Sequence, residues 1–389
     1  MSKEVVIIGA GITGITAAYL LKTFDPDCSV CLIDAGPGPD LKDGTSLISS
    51  HFGATLGNAC DARQFTGTEG LSFQNPVHTK LLYLDANEPP GWRTIPEENL
   101  TDREKAWRQE CVDRCERNVS PTFNPYDDMY SALNYGGMNA WEFLAFLDEA
   151  LQGFRISTGH VYVAFETEEE FEADFESESR FNPLNSEVES RVFSAERKVL
   201  NDHLEGNFAV DQIHEQLLRV PGSAWRIKSI WRYFYSTLKN SSNVEFIWNS
   251  PIEELSQLPT APTYIWAAGT AYALPDIYRE HGRVQGIGGW WLSIPNAGFK
   301  VPFKISAPQP AGYINFTPDG SSVHICGGFG WVGERPYAES ERLLQPCKAH
   351  VLSQLSRFLK ISKQQLEAFG AGRLHQADDA NWTPGREGY

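Results

Sequence analysis

The chain has 389 residues, of which 41% are hydrophobic, and 33 basic against 50 acidic residues give it a net charge of −17 at pH 7. This length exceeds one ordinary hydrophobic core, so we expect two domains. The negative charge argues against nucleic-acid partners and anionic membrane surfaces, since both require a basic footprint. No apolar run reaches the roughly 18 residues of a membrane span.

The cysteines favour a reducing compartment. Seven cysteines, an odd number at scattered positions, are typical of reduced thiols and not of a disulfide framework. Cys28 and Cys31 form a CxxC pattern, but no second Cys/His pair lies nearby, so we expect no metal site there. The N-terminus leads directly into a predicted core strand without a secretory leader, and we therefore expect a cytoplasmic protein.

The chain begins with a predicted strand–helix–strand unit. Val5–Ile8 is a continuous β-branched run, which predicts a buried parallel strand. A helix is predicted from Ile12 to about Thr23, with Pro26 just beyond its end, and Ser29–Ile33 is the second strand. A polar, glycine-rich stretch without regular periodicity then runs to Gly70, and irregular segments of this length are usually functional.

The remaining predicted elements lead to an antiparallel sheet. Helices are predicted within residues 100–155, over Trp225–Lys239 and from Arg342 to Leu359, and strands over Gly159–Thr167, Val244–Trp248 and Thr263–Ala271, the last of them buried. From Val284 to Phe329 short strands separated by turns predict an antiparallel sheet, in which TPDGS is a strong hairpin signal.

The first unit carries a dinucleotide-binding pattern. Gly9, Gly11 and Gly14 form GxGxxG between the strand and the helix, where they permit a tight turn, close approach of a pyrophosphate and packing of the helix on the strand. Asp34 ends the second strand, and a carboxylate there accepts hydrogen bonds from ribose hydroxyls. The residues predicted to bind the cofactor here are Gly9, Gly11, Ile12, Thr13, Gly14, Asp34 and Ala35.

The rest of the chain favours FAD over NAD. A nicotinamide dehydrogenase usually completes its nucleotide-binding domain with several contiguous βα units. This chain leaves the unit after two strands and returns much later, at YIWAAGTA, which contains Ala268 and Gly269. Such an excursion suits a flavin-binding domain interrupted by a substrate domain, so Ala268 and Gly269 join the predicted cofactor-binding residues.

These segments resemble the D-amino-acid oxidase, glycine oxidase and sarcosine oxidase group of FAD enzymes. The resemblance spans nearly the whole chain and rests on the glycine turn, AAG, GYINF with DGSSVHICGG, and the terminal AG-R and TP, in the expected order. It implies an α/β fold, with a Rossmann-like FAD-binding domain interrupted by an α+β substrate domain that has a mainly antiparallel sheet.

We expect a discontinuous FAD-binding domain. It would comprise residues 1–80, 155–180, 220–275 and 360–389, and the substrate domain residues 81–154, 181–219 and 276–359. In the resembled family further residues follow TP and close over the flavin. This chain is therefore expected either to be truncated or to cover the flavin with other residues.

The resemblance implies oxidation of a C–N bond in an amino acid or related amine. Hydride passes to flavin N5, the imine product hydrolyses, and oxygen or an electron carrier takes the electrons. Such enzymes need a cation for the substrate carboxylate, an apolar or aromatic ceiling over the flavin and positive character near flavin N1.

A segment after the second strand resembles a sarcosine oxidase motif close to the flavin. The matching residues are Ser50, His51, Gly53 and Thr55. Leu56 stands where that motif has an arginine. A covalent histidyl link at His51 is one alternative, and Asp378 occupies the position of the cysteine that links the flavin in sarcosine oxidases. Non-covalent FAD is the prediction.

Two arginines are candidates for binding the substrate carboxylate, which a guanidinium group holds through two hydrogen bonds. Arg63 falls near a carboxylate-binding arginine of the sarcosine oxidases, and a surface arginine beside Asp61 is the alternative. Arg373 lies one residue early relative to the family pattern AG-x-R-P, with Leu374 in the arginine position. A one-residue offset turns a strand side chain to the other face, so Arg373 reaches the substrate only if a bulge compensates.

Aromatic residues of the predicted antiparallel sheet complete the candidate site. Tyr313 in GYINF matches a substrate-side tyrosine of the D-amino-acid oxidases, and an ordinary half-buried aromatic residue is the alternative. One side chain of the pair Trp290 and Trp291 is expected to point into the substrate cavity and the other away from it.

Two further hypotheses stay open. An FAD-dependent monooxygenase shares the glycine turn, but its mid-chain DG motif occurs here only as PDG in a predicted hairpin. A non-catalytic FAD-binding paralogue is favoured by Leu56 and by the shifted Arg373.

Overall fold

A computed structural model describes most of the chain. The described residues are 4–36, 38–39, 61–63, 76–118, 139–157, 160–181, 193–200, 212–252, 254–268, 285–296, 298–333, 335, 339, 342–360, 362, 364 and 383–388. The α-helices are α1 (Ile12–Phe24), α2 (Pro76–Leu81), α3 (Asp102–Asn118), α4 (139–147), α5 (Glu168–Phe181), α6 (Ile227–Lys239) and α7 (Gln345–Phe358).

The described strands form two sheets. The strands are β1 (Val5–Ile8), β2 (Val30–Ile33), β3 (Asp61–Arg63), β4 (Arg155–Ser157), β5 (His160–Ala164), β6 (Phe193–Glu196), β7 (Gln216–Trp225), β8 (Val244–Ile247), β9 (Thr263–Trp266), β10 (Gly286–Pro295), β11 (Phe303–Ser306), β12 (Tyr313–Asp319), β13 (Ser322–Gly333) and β14 (Thr383–Gly388). The smaller sheet is parallel throughout, in the order β8-β2-β1-β9.

The larger sheet is mostly antiparallel. Its order is β14-β10-β13-β12-β11-β5-β7-β3, with β4 and β6 also paired to β7, and β11 and β5 form its parallel pair. A parallel Rossmann-like sheet beside a mainly antiparallel one confirms the predicted fold class. The predicted hairpin at TPDGS is also confirmed, since it joins β12 to β13 and Gly320 adopts a left-handed φ of 58°.

The parallel sheet forms because its central strands are apolar on both faces. All residues of β1 and β2 are buried. One face packs against α1 and α6 through residues such as Ile15 and Phe234, and the other face contacts Ile252. Sheets covered on both faces require such continuous β-branched runs, which explains why the first unit was predictable.

Two predicted elements differ from the structure. The strand predicted as buried over Thr263–Ala271 ends at Trp266 and lies at the edge of the parallel sheet that the described strands form, where Tyr264 is 45% exposed. The prediction of burial was therefore wrong, because an edge strand has one neighbour and needs fewer apolar contacts. Trp225 belongs to β7, so α6 begins at Ile227 and not at Trp225.

The larger sheet has two chemically different faces. Phe303, Ile305, Ile314, Phe316 and Ile325 point into the main hydrophobic core, which α7 covers. The alternate residues of the same three strands form the opposite face, as the period of two in a strand requires. This surface, called the polar face below, comprises Lys304, Tyr313, Asn315, Thr317, His324 and Cys326.

Strand pairing bears on the expected domain division without deciding it. β5 lies in residues 155–180 and β14 in residues 360–389, both expected in the FAD-binding domain, yet both strands pair within the larger sheet. The division of the chain into two domains stays a proposal.

The described ranges contain neither a membrane-spanning helix nor a metal-binding cluster. None of the helices there is both long and apolar enough to cross a membrane. In the same ranges no group of three or more His, Cys, Asp or Glu side chains is arranged to hold a metal ion. Cys28 and Cys31 are buried in the packing of the parallel sheet and form no disulfide.

A half-buried carboxylate connects α1, α6 and the segment after α4. Asp148 Oδ2 accepts hydrogen bonds from Tyr19 Oη at 2.5 Å and Tyr233 Oη at 2.6 Å, and its Oδ1 accepts one from Ala150 N. Burial acts to raise the pKa of Asp148, but these hydrogen bonds outweigh it and hold the pKa below its ordinary value. Burial and the bond to Asp148 raise the pKa values of both tyrosines.

Replacing Asp148 by asparagine is expected to lower the free energy of unfolding by about 2 kcal/mol at pH 7, the order of one hydrogen bond to a charged group. Because the folded-state pKa of Asp148 is depressed, its contribution is present above the unfolded pKa of about 4 and is lost as pH falls. Urea unfolding at pH 7 and pH 3.5 measures this. The gap between wild type and D148N should shrink at the lower pH, whereas Glu149→Gln, an exposed neighbour, should show no gap.

Candidate active site

The glycine turn closes tightly against the strand that returns from the middle of the chain. Gly9 N donates to Ile33 O at 2.7 Å, and Gly9 has a φ of 98°. A Cβ at Gly9 would lie 2.3 Å from Ala267 O and 2.8 Å from Ala268 Cα. The structure therefore brings the predicted residues Gly9 and Ala268 together, and only glycine fits the first position.

The start of α1 offers an anion site beside this turn. A Cβ at Gly14 would lie 1.9 Å from Gly9 O, so this glycine lets the first turn of the helix sit on β1. Gly11 is the N-cap residue, without a side-chain cap, and the first turn contains no acidic residue. Ile12 is half-buried and Thr13 exposed. The N–H groups of this turn have no acceptor within the helix and are suited to a phosphate.

Asp34 directly follows β2, and one of its carboxylate oxygens contacts the glycine turn. Ala10 N donates to Asp34 Oδ2 and Gly36 N to Asp34 Oδ1, each at 2.7 Å. A carboxylate has about four acceptor sites, so acceptor capacity is left for ribose hydroxyls. Asp34 is half-buried and Ala35 is exposed, which places both at the surface of the predicted cofactor site.

The loop after β8 forms backbone hydrogen bonds with the loop after β2. Ser250 N donates to Asp34 O at 2.9 Å, and Asn249 N to Gly36 O at 2.8 Å. A Cβ at Gly38 would lie 2.7 Å from Trp248 Cδ1, so the backbone there runs against the indole ring. The backbone of Asp34, the predicted ribose-binding residue, is thus fixed by residues some 200 positions further along the chain.

Trp231 is a supporting residue that the sequence analysis missed. Its Nε1 donates to Ala10 O at 2.7 Å, which fixes a carbonyl inside the glycine turn. The indole ring is fully buried and stacks on Tyr235, with 5.2 Å between the ring centroids. No local pattern could reveal this contact, because Trp231 and Ala10 are 221 residues apart.

Taken together, these described residues fit a dinucleotide. The turn leaves no room for a Cβ at Gly9, presents free helix N–H groups and positions a carboxylate for ribose. Four predicted site residues lie outside the described ranges: Ser50, His51, Gly269 and Arg373. The backbone of Arg63 is described and pairs with Gly222 at the β3 edge of the larger sheet.

The predicted aromatic residues occupy different surroundings. Tyr313 is half-buried on the polar face and packs against the small cluster of Val163, Phe165, Phe171 and Leu218. Its role in substrate binding stays a prediction. Trp290 points away from the polar face, because its ring is buried in the main core and its Nε1 donates to Leu344 O at 2.7 Å.

An ion pair joins the polar face to the helix that supports the glycine turn. Arg226, which precedes α6, donates from Nε to Asp319 Oδ1 at 2.6 Å and from Nη1 to Gly153 O at 3.1 Å. His324 Nε2 lies 3.9 Å from Asp319 Oδ2. Burial acts to raise the pKa of Asp319, but His324 and Arg226 lower it below its ordinary value. One edge of the polar face is therefore anchored to the dinucleotide-binding half.

The fold and the turn define a dinucleotide-binding protein. The model of the family described as DAO, FAD dependent oxidoreductase, matches residues 4–368, and the chain belongs to this family. It is therefore an enzyme, and its cofactor is FAD. No curated protein matches the sequence closely enough to count as a relative.

Solved structures share the fold at low identity. Iminodiacetate oxidase from Chelativorans sp. BNC1 is 15% identical with a TM-score of 0.55, over 99% of this chain and 83% of that one. Glycine oxidase from Geobacillus kaustophilus is 12% identical with a TM-score of 0.53, over 99% and 82%. L-alpha-glycerophosphate oxidase from Mycoplasma pneumoniae, solved with FAD bound, is 10% identical with a TM-score of 0.53, over 99% and 83%.

Replacing Trp231 by phenylalanine is expected to weaken FAD binding about tenfold, since a buried carbonyl in the turn loses its donor at a cost of 1–3 kcal/mol. Fluorescence titration of the apoprotein with FAD measures the affinity. Trp141→Phe is the matched control, because Trp141 packs against the same core and its ring stacks on Trp225. Equal affinities in the two variants would contradict the role of Trp231.

Proposed function

We propose that the enzyme oxidises the C–N bond of an amino acid or related amine. The observation that supports this most is the match of the FAD dependent oxidoreductase family to residues 4–368, combined with a dinucleotide turn whose geometry fits FAD. Two of the proteins with the same fold are named glycine oxidase and iminodiacetate oxidase, and both names specify substrates with an amine beside a carboxylate.

The proposed reaction balances as a two-electron oxidation. The carbon bound to nitrogen gives up a hydride and the nitrogen gives up a proton, so the C–N single bond becomes an imine that water hydrolyses. FAD supplies the hydride acceptor when it is bound, and oxygen or an electron carrier then accepts the electrons. We propose that the FAD is held without a covalent bond.

The chain contributes binding and orientation in this proposal. The start of α1 holds the pyrophosphate, and Asp34 holds a ribose. Arg63 and Arg373 are proposed to bind the substrate carboxylate, Tyr313 to border the substrate, and Ser50 and His51 to lie near the flavin. We also propose a cytoplasmic location, which the absence of disulfides among the five described cysteines supports.

Anaerobic reduction tests the proposed function. Purified protein mixed without oxygen with a panel of D-, L- and N-methyl amino acids should lose its flavin absorbance at about 450 nm with at least one of them. Bleaching by NADPH or NADH alone would instead indicate the monooxygenase. Failure of every amine to bleach the flavin would contradict the proposal.

Replacing Arg63 by alanine is expected to raise KM by the factor that corresponds to a loss of roughly 2–3 kcal/mol of binding free energy from the charge-assisted hydrogen bonds. The flavin content should stay unchanged. Steady-state kinetics on the best substrate of the panel and the flavin-to-protein absorbance ratio measure the two quantities. Arg103→Ala, at an exposed position of α3, is the control. An unchanged KM in R63A would place the carboxylate-binding group elsewhere.

A further inference from the structure

A tryptophan lies beside the predicted ribose site at the carboxyl end of the parallel sheet. β8 pairs with β2, and the last residues of these strands, Ile247 and Ile33, are in register. Trp248 and Asp34 therefore directly follow neighbouring strands. Ligands of open α/β sheets bind outside the carboxyl ends of the strands, so Trp248 is close to the residues that are predicted to bind FAD.

Three backbone hydrogen bonds fix the loop after β2 to β8 and the residues that follow it. Asp34 N donates to Ile247 O at 2.9 Å. Ser250 N donates to Asp34 O at 2.9 Å, and Asn249 N donates to Gly36 O at 2.8 Å. Asn249 has a left-handed φ of 54°, a conformation that asparagine adopts more readily than most residues. The backbone from Asp34 to Gly36 is therefore held in one position.

The indole ring of Trp248 extends this support to Gly38. A Cβ at Gly38 would lie 2.7 Å from Cδ1 and 2.9 Å from Cγ and Nε1 of Trp248. The Gly38 backbone thus packs directly against the five-membered part of the indole ring. The φ of Gly38 is outside the left-handed region, so the close approach to the ring, and not the backbone conformation, requires glycine at this position.

Other aromatic residues hold the indole ring in place. Phe246 stacks on Trp248, with 5.5 Å between the ring centroids and 8° between the planes. The centroid of Tyr235 lies 6.1 Å from that of Trp248 and 5.2 Å from that of Trp231, which donates to Ala10 O in the glycine turn. These four rings, called the aromatic row below, contact both the glycine turn and the loop after β2.

The position of this row favours a role in cofactor binding over a role in packing alone. The loop after β2 lies at the surface, with Ala35 exposed and Gly38 half-buried. Ordering such a loop costs conformational entropy at each residue. A ligand that binds a loop already in its bound conformation does not have to supply that free energy. A fixed loop beside Asp34 therefore strengthens the binding of any ligand that Asp34 contacts.

We propose that Trp248 is a positioning residue for the adenosine half of FAD, because its contact with Gly38 orders the loop that carries Asp34. The inference rests on the proposed role of Asp34 in ribose binding and does not depend on the substrate. It adds that the aromatic row supports two parts of the cofactor separately. Trp231 supports the turn that binds the pyrophosphate, and Trp248 supports the loop that binds the ribose.

The test compares the wild-type holoenzyme with its Trp248→Leu variant. Equilibrium dialysis measures the affinity for FAD, and displacement of FAD by ADP or by inorganic pyrophosphate shows which part of the cofactor is affected. We expect W248L to weaken FAD and ADP binding by the same factor, roughly tenfold, which is the order of the free energy needed to fix the backbone of one residue. Displacement by pyrophosphate, which has no ribose, should stay unchanged.

Three comparison variants make this result specific. Trp231→Phe, which acts on the glycine turn, should weaken the binding of FAD, ADP and pyrophosphate alike. Trp141→Leu, in the same core, should behave as wild type. Asp34→Ala tests the role on which the inference rests, since unchanged ADP affinity in D34A would overturn the ribose role of Asp34. Unchanged FAD and ADP affinities in W248L would overturn the inference itself, as would an equal loss with pyrophosphate.

Gly38→Ala tests the same contact from the other side. Its methyl group would overlap the indole ring, so G38A should weaken FAD and ADP binding as W248L does. Leucine at position 248 leaves room for this methyl group, so the double variant should bind FAD as W248L does. Losses that multiply in the double variant would overturn the inference, because the two residues would then act separately. If W248L does not fold, G38A decides, and wild-type ADP affinity in G38A overturns the inference.

Discussion

A close backbone approach at Gly9 is the constraint on which the cofactor site depends. β1, the start of α1 and the residues after β9 meet where a Cβ at Gly9 or Gly14 would overlap a backbone oxygen. In the same turn, the Ala10 carbonyl accepts a hydrogen bond from Trp231 and the Ala10 N–H donates one to Asp34. The close approach acts on Gly9, and the hydrogen bonds of Trp231 and Asp34 act on Ala10. The helix N-terminus is therefore fixed before any ligand binds. Pre-organised donors lose little free energy on binding, which is what tight retention of a pyrophosphate requires.

The polar face depends on the alternation of side chains along the strands of the larger sheet. One face is committed to the main core, where Phe303 and Phe316 stack with 4.5 Å between centroids. That packing fixes the register of β11, β12 and β13, and the register in turn places Lys304 opposite Asn315. Packing of the apolar face therefore determines which residues lie opposite one another on the polar face. The Arg226–Asp319 ion pair then connects this sheet to the start of α6, the helix that carries Trp231.

Sequence patterns predicted the elements that depend on interactions between residues close together in the chain. The strand–helix–strand unit around GAGITG has continuous apolar strands and glycines at a turn, and each of these signals acts within a few residues. β7 was missed because Pro221 and Gly222 interrupt its apolar run, although in the structure it pairs with four strands. The contact of Trp231 with Ala10 could not be predicted from one sequence, since it joins distant residues. The contact of Trp248 with Gly38 was missed for the same reason.

The negative charge of the whole protein affects how the proposed amino-acid substrate is recognised. A net charge of −17 repels a carboxylate at long range, but ions screen that repulsion beyond about 8–10 Å at physiological salt. Recognition must then come from charges that the substrate meets at contact. In a site with low effective dielectric, one cation interacts several times more strongly with a carboxylate than it would at the surface. The proposed carboxylate binders Arg63 and Arg373 would therefore act at contact and not at long range, while the acidic exterior repels polyanions.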